Sequence, residues 1–68
     1  MKLSARNQLS GTVVEITRGE AIANVVLDVN GQRLVASITV EAVTELGLQA
    51  GKPVTAIVKA SDVLIAVA

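Results

Sequence analysis

Two short polar inserts interrupt an otherwise aliphatic sequence. Ser4-Ala5-Arg6-Asn7-Gln8 gathers a hydroxyl, a guanidinium and two carboxamides into five residues, and Lys59-Ala60-Ser61 adds an ammonium and a second hydroxyl near the other end. Arg offers a rigid fork of N–H donors, Lys three ammonium hydrogens, and Ser a hydroxyl that rotates toward an acceptor. Neither run contains a carboxylate. Donors without acids are what a small tetrahedral dianion requires, so the two inserts are expected to meet and hold an oxyanion. Read as strands, Ser4, Arg6 and Gln8 project from one face, with Ser4 and Arg6 about 7 Å apart at Cα, and Lys59 and Ser61 stand in the same relation. The competing reading is ordinary surface solvation, with Asp62 as an ion-pair partner for Lys59. The clustering favours the binding reading, since hydrophobes fill most other strand positions.

Few other chemistries are open to this chain. It has no histidine and no cysteine, which removes the commonest general base, the commonest metal ligand and any thiolate site or disulfide. The acids are Glu15, Glu20, Asp28, Glu41, Glu45 and Asp62, and no group of them has a recognisable metal-ligand spacing. The hydroxyl–acid pair Ser61-Asp62 lacks a base to activate the serine. No catalytic residue, metal ion or organic cofactor is therefore expected, and the chain does not read as an enzyme. Six basic residues balance six acidic ones, and there is no aromatic residue. Nucleic-acid binding needs a basic excess and stacking rings, so no nucleic-acid partner is expected. The first residues lack the apolar core of a secretory signal. The longest apolar run, Val63 to Ala68, is too short to span a bilayer. No membrane partner is expected, and the cytoplasm is the expected location.

The elements that must position the inserts follow from periodicity. Leu3 to Thr17 reads as one long strand, polar to Leu9 and β-branched from Thr12, with a bend or bulge at Ser10-Gly11. Arg18-Gly19-Glu20 is the first turn. Ala21 to Val29 is the second strand, with Ala21, Ala23, Val25, Leu27 and Val29 on one face. Asn30-Gly31 is a strong type I′ hairpin signal, and the third strand, Gln32 to Thr39, returns with Leu34, Ala36 and Ile38 inward. Thr39 N-caps a short helix over Val40 to Leu46, Glu41 suits its first turn, and Gly47 closes it. Val54 to Ala60 is the fourth strand and Val63 to Val67 the fifth, separated by a Ser61-Asp62 corner. The expected fold is all-β: a five-stranded OB-like Greek-key barrel with one short helix between strands three and four. A two-sheet sandwich is the competing arrangement. In a chain of 68 residues, 51% of them hydrophobic, both faces of strands two, four and five are aliphatic. A lone copy would expose one of those faces, so a homo-oligomer is expected.

The residues that carry the oxyanion reading also carry a family resemblance. Ser4-Ala5-Arg6-Asn7-Gln8-Leu9 with Gly11, then Glu45-Leu46-Gly47, then Val58-Lys59-Ala60-Ser61-Asp62-Val63 together resemble the molbindins. These are small cytoplasmic molybdate-binding proteins made of a Mop-type, TOBE-like domain, and the resemblance covers residues 1-68 as one such domain. It implies a homo-hexamer, a trimer of dimers, holding molybdate or tungstate between subunits for intracellular storage. It implies Ser4, Ala5, Arg6, Thr39, Lys59, Ala60 and Ser61 as the oxyanion-binding residues. Relatives present a further hydroxyl early in the helix; Ala42 stands there in this chain, leaving a backbone N–H as the substitute. Arg18, Gly19 and Glu20 are the expected contributors to a second kind of site, where loops converge on a symmetry axis. The chemistry agrees. Molybdate is fully deprotonated at neutral pH and accepts at every oxygen, whereas phosphate still carries a proton that a donor-only site leaves mispaired. Sulfate has no such proton, so pocket size alone rejects it. The alternatives are an OB-type nucleic-acid or protein interaction module, or a regulatory oxyanion-sensing domain.

Overall fold

Three strands joined by two tight turns form the first half of the chain. In the computed structural model, which describes residues 1–68, these are β1 (Asn7–Arg18), β2 (Ile22–Val29) and β3 (Gln32–Thr39). Asn30 and Gly31 both take positive φ, 52° and 86°, which gives the primed turn whose twist matches the flanking strands. The Asp28 carboxylate accepts the Gly31 N–H at 3.0 Å and ties that turn down. The helix α1 (Val40–Leu46) follows directly, then β4 (Pro53–Val58) and a single 3₁₀ turn over Ala60–Asp62. The Thr39 hydroxyl accepts the Ala42 N–H, and Gly47 closes the helix in the left-handed region at φ 62°. The Lys52 ammonium donates to the carbonyls of Leu46 at 2.6 Å and Gly47 at 3.3 Å, adding a cation at the negative helix end.

The strand order is β3-β2-β1-β4, the Greek-key order in which the fourth strand returns beside the first. β1 is long enough to serve two partners. Its first half pairs with β4, from Asn7↔Val58 to Thr12↔Pro53, and its second half pairs with β2, from Thr12↔Asp28 to Arg18↔Ala23. The expected bulge lies elsewhere than at Ser10-Gly11: the register slips between Val13 and Glu15, so Val14 is the extra residue. Gly11 answers a different need. A Cβ there would lie 2.8 Å from the Asp28 carbonyl oxygen and 2.9 Å from a Val29 methyl, so glycine is where β2 crosses closest to β1.

The core is Val13, Ala23, Val25, Leu27 and Val43, ringed by partly buried residues such as Ile16, Leu34, Ile38, Val54 and Ala56. α1 buries one residue, Val43, in it. Val26, on the opposite face of β2, is also buried. Only 6 of 68 residues are buried, too few to leave a lone copy much stability.

Three expectations about the strands need correction. The first strand begins at Asn7, not Leu3, and the fourth ends at Val58, not Ala60. The expected fifth strand, Val63 to Val67, does not join the sheet, which has four strands and is not closed. The chain from Val63 leaves in an extended conformation (φ −86°, ψ 125°) with Leu64, Ile65 and Val67 86–90% exposed. Its apolar pattern reports a segment suited to a sheet without saying whose sheet. β3 and β4 are therefore both edges. Between them opens a cleft of about 530 Å³ whose lining includes Leu34, Ile38, Val54, Ala56 and Val58. The exposed arm raises the radius of gyration to 12.7 Å, against about 11 Å for a compact chain of this length. No helix is long and apolar enough to cross a membrane.

Candidate oxyanion site

The β1–β4 ladder starts the two polar inserts from one end of the sheet. Its last rung is Asn7↔Val58, and Arg6 and Lys59 are the next residues beyond it. Both inserts therefore leave the same end of the sheet, on adjacent strands of one chain. Of the six insert residues beyond that rung five, Ser4, Arg6, Lys59, Ala60 and Ser61, are exposed, and none is an acid. The acid next in sequence, Asp62, closes the 3₁₀ turn through its backbone, donating its N–H to the Lys59 carbonyl at 2.9 Å.

The local geometry differs from the strand parity expected for these residues. Ser4-Ala5-Arg6 precedes β1 and bends at Ser4, so Ser4, Arg6 and Gln8 do not line one strand face. Gln8 acts on the segment instead: its carboxamide N–H donates to the Ala5 carbonyl at 3.2 Å and holds the bend. The three-residue separation of Gln8 and Ala5 was the available signal for this turn-closing bond. At the other insert, β4 stops at Val58, Lys59 is extended, and Ala60-Ser61-Asp62 form the turn. Lys59 therefore precedes a turn and Ser61 lies inside it, where a backbone N–H points outward more readily than in a paired strand.

Thr39 is not part of this cluster within one chain. It pairs with Ile22 at the start of β2, beside the turn that follows Arg18. That is the opposite end of β1, a strand of 12 residues. The chain folds Thr39 toward the expected second-site residues Arg18, Gly19 and Glu20, all exposed in the β1–β2 turn, which the Gly19 N–H closes onto the Ile22 carbonyl at 2.8 Å. The substitute donor expected at Ala42 is also spent, since its N–H is bonded to the Thr39 hydroxyl. Thr39 meets the Arg6–Lys59 end only if a second copy supplies it. No three acids cluster to hold a metal ion.

Comparison with known proteins identifies the family. The TOBE domain model matches residues 3–65. A molybdenum-pterin-binding protein 2 of Clostridium pasteurianum is 44% identical over 66 residues, covering 96% of this chain and 97% of that protein. The high-resolution structure of a molybdate-binding protein from Sporomusa ovata superposes with a TM-score of 0.93 at 45% identity, over 97% of this chain and 98% of that one. The cytoplasmic molybdate-binding protein ModG, with molybdate bound, superposes with a TM-score of 0.85 at 44% identity, over 88% of this chain and 43% of ModG. The chain belongs to the TOBE-domain family and, within it, to the molbindins.

Proposed function

We propose that this chain binds molybdate, and tungstate by the same chemistry, reversibly and without turnover, as a cytoplasmic store. The reading is supported by the last rung of the β1–β4 ladder, Asn7↔Val58, from which Ser4-Ala5-Arg6 and Lys59-Ala60-Ser61 leave the same end of the sheet, with donors and no acids. The names of the relatives supply the metal, and ModG, described as cytoplasmic, supplies the location. Titration calorimetry with molybdate, tungstate, sulfate and phosphate tests it. Saturable heat is expected with molybdate and tungstate; none at micromolar protein sinks the reading.

The store works as a homo-oligomer, with a hexamer built as a trimer of dimers and residues 1-68 as the one domain of each subunit. Two observations support self-assembly. Thr39 sits at the far end of β1 from its expected companions, so an anion site that includes it takes residues from two copies. The apolar arm Val63–Ala68 has no partner in its own chain, while the cleft between β3 and β4 lacks a strand. Six extended residues reach about 20 Å, enough to run the length of β4. Seated as a strand on a second copy, the arm turns Val63, Ile65 and Val67 to one face, stabilising the pair by roughly 5–9 kcal/mol per arm before ordering costs. The arm then stands as the fifth strand of the partner's barrel. Arg18, Gly19 and Glu20 remain the candidates for a second oxyanion site at a symmetry axis.

A further inference from the structure

The turn that carries Lys59, Ala60 and Ser61 is also the only link between the sheet and the arm. β4 ends at Val58, the arm begins at Val63, and what lies between is one 3₁₀ turn. Two backbone bonds hold it, Asp62 N–H to the Lys59 carbonyl at 2.9 Å and Val63 N–H to the Ala60 carbonyl at 3.3 Å. No side chain caps it, and no residue from Lys59 onward is buried. A turn so lightly held leaves the direction of the arm weakly fixed, because its few bonds compete with water. The anion donors are therefore the hinge itself.

Resting on the oxyanion reading above, we propose that a bound oxyanion latches this hinge and so controls how fast copies of the chain exchange arms. An anion bridging Lys59 and Ser61 to Ser4 and Arg6 ties the turn to the segment before β1. The backbone from Lys59 to Ser61 then keeps one set of dihedrals, and the arm keeps one exit direction, the direction in which it lies in the partner's cleft. Withdrawal of the arm needs the hinge to swing, and the swing needs the anion to leave first. The coupling is reciprocal by linkage: a seated arm orders the turn and tightens the anion. The occupant of the cleft is a second copy, because the arm and the cleft are both aliphatic and uncharged.

The test uses the full chain. Isotopically labelled and unlabelled protein are mixed, and mixed assemblies are followed by native mass spectrometry with and without molybdate at about 100 times the dissociation constant found by calorimetry. Saturation at that excess favours the latched form about 100-fold per site, so exchange is expected to slow at least tenfold. Asp62→Gly separates a latch from a simple bridge between subunits. It loosens the joint between the anion-held residues and the arm without removing a donor. Molybdate should still bind it, but the slowing should shrink severalfold. If wild-type exchange is unchanged or faster when calorimetry shows molybdate bound, the latch is wrong and the store stands. Undiminished slowing in Asp62→Gly also overturns the latch. If no molybdate binds, the oxyanion reading itself fails. A chain that is monomeric at every concentration overturns the arm and the latch together.

Discussion

In the proposed site Thr39 uses one oxygen for two tasks. Its Oγ1 accepts the Ala42 N–H at 3.0 Å, which leaves its hydroxyl hydrogen free to donate to an acceptor-only ligand. The two tasks separate by substitution. Thr39→Ala should lose about 1 kcal/mol of stability with the cap and also weaken molybdate binding. Thr39→Asp should keep the cap, and so the melting temperature, but repel the dianion; unchanged affinity in Thr39→Asp would remove Thr39 from the site. Arg6 and Lys59 are exposed and hold no part of the core. Arg6→Ala and Lys59→Ala should each weaken molybdate binding by roughly 10- to 150-fold, the range of one charge-assisted bond. Circular dichroism should show the fold of both intact, and normal affinity in both variants means the anion sits elsewhere. Gly11→Ala puts a methyl 2.8 Å from the Asp28 carbonyl and should lower stability by about 1–3 kcal/mol. Thermal melting checks it, and an unchanged midpoint means β2 can move aside.

At the scale of elements, turns and caps could be read from the sequence, but strand ends could not. Asn30-Gly31, Thr39 and Gly47 each meet a local backbone demand that few residues satisfy, and each sits where that demand predicts. β3 keeps its expected bounds for the same reason, held between the hairpin turn and the N-cap. Strand ends carry no such local mark. Whether Arg6 or Lys59 continues a ladder depends on what lies opposite, and beyond Asn7↔Val58 both chains turn away. The glycine at 11 looked like a bulge because close approach and bulging both favour a missing side chain, and only the neighbouring strand distinguishes them. The candidate site was legible as a donor inventory, and its register on β1 and β4 was not. Val43 is the helix's only fully buried residue, and with the partly buried Val40 it packs α1 on the sheet. Val43→Ala should cost about 2 kcal/mol, and amide hydrogen exchange should show α1 losing protection before β2; simultaneous loss would mean the helix is held by its caps.

For the whole molecule, stability and assembly are one quantity. So small a core leaves little margin in a lone copy, and in the proposed assembly the arm supplies the missing apolar burial across a boundary. Ile65 is 86% exposed within its own chain, so Ile65→Asp is harmless to an isolated copy and places a charge in a partner's cleft. It should reduce the native mass to that of smaller species and make the melting temperature fall with dilution. A variant that keeps the wild-type mass and melting point rules out the arm as the contact. The 3₁₀ turn at Ala60–Asp62 has a further consequence. An arm that docks on a neighbour closes into a pair only if the neighbour's arm points back, and the turn sets that angle. With the angle altered, each copy still offers one arm and one cleft, but the second arm reaches a third copy instead of the first. The product is then a filament with bare edges at both ends rather than a finite particle. Light scattering of a concentrated variant with one glycine inserted after Asp62 should grow with time where the wild type stays constant, which makes three residues of turn the difference between a finite particle and a fibre.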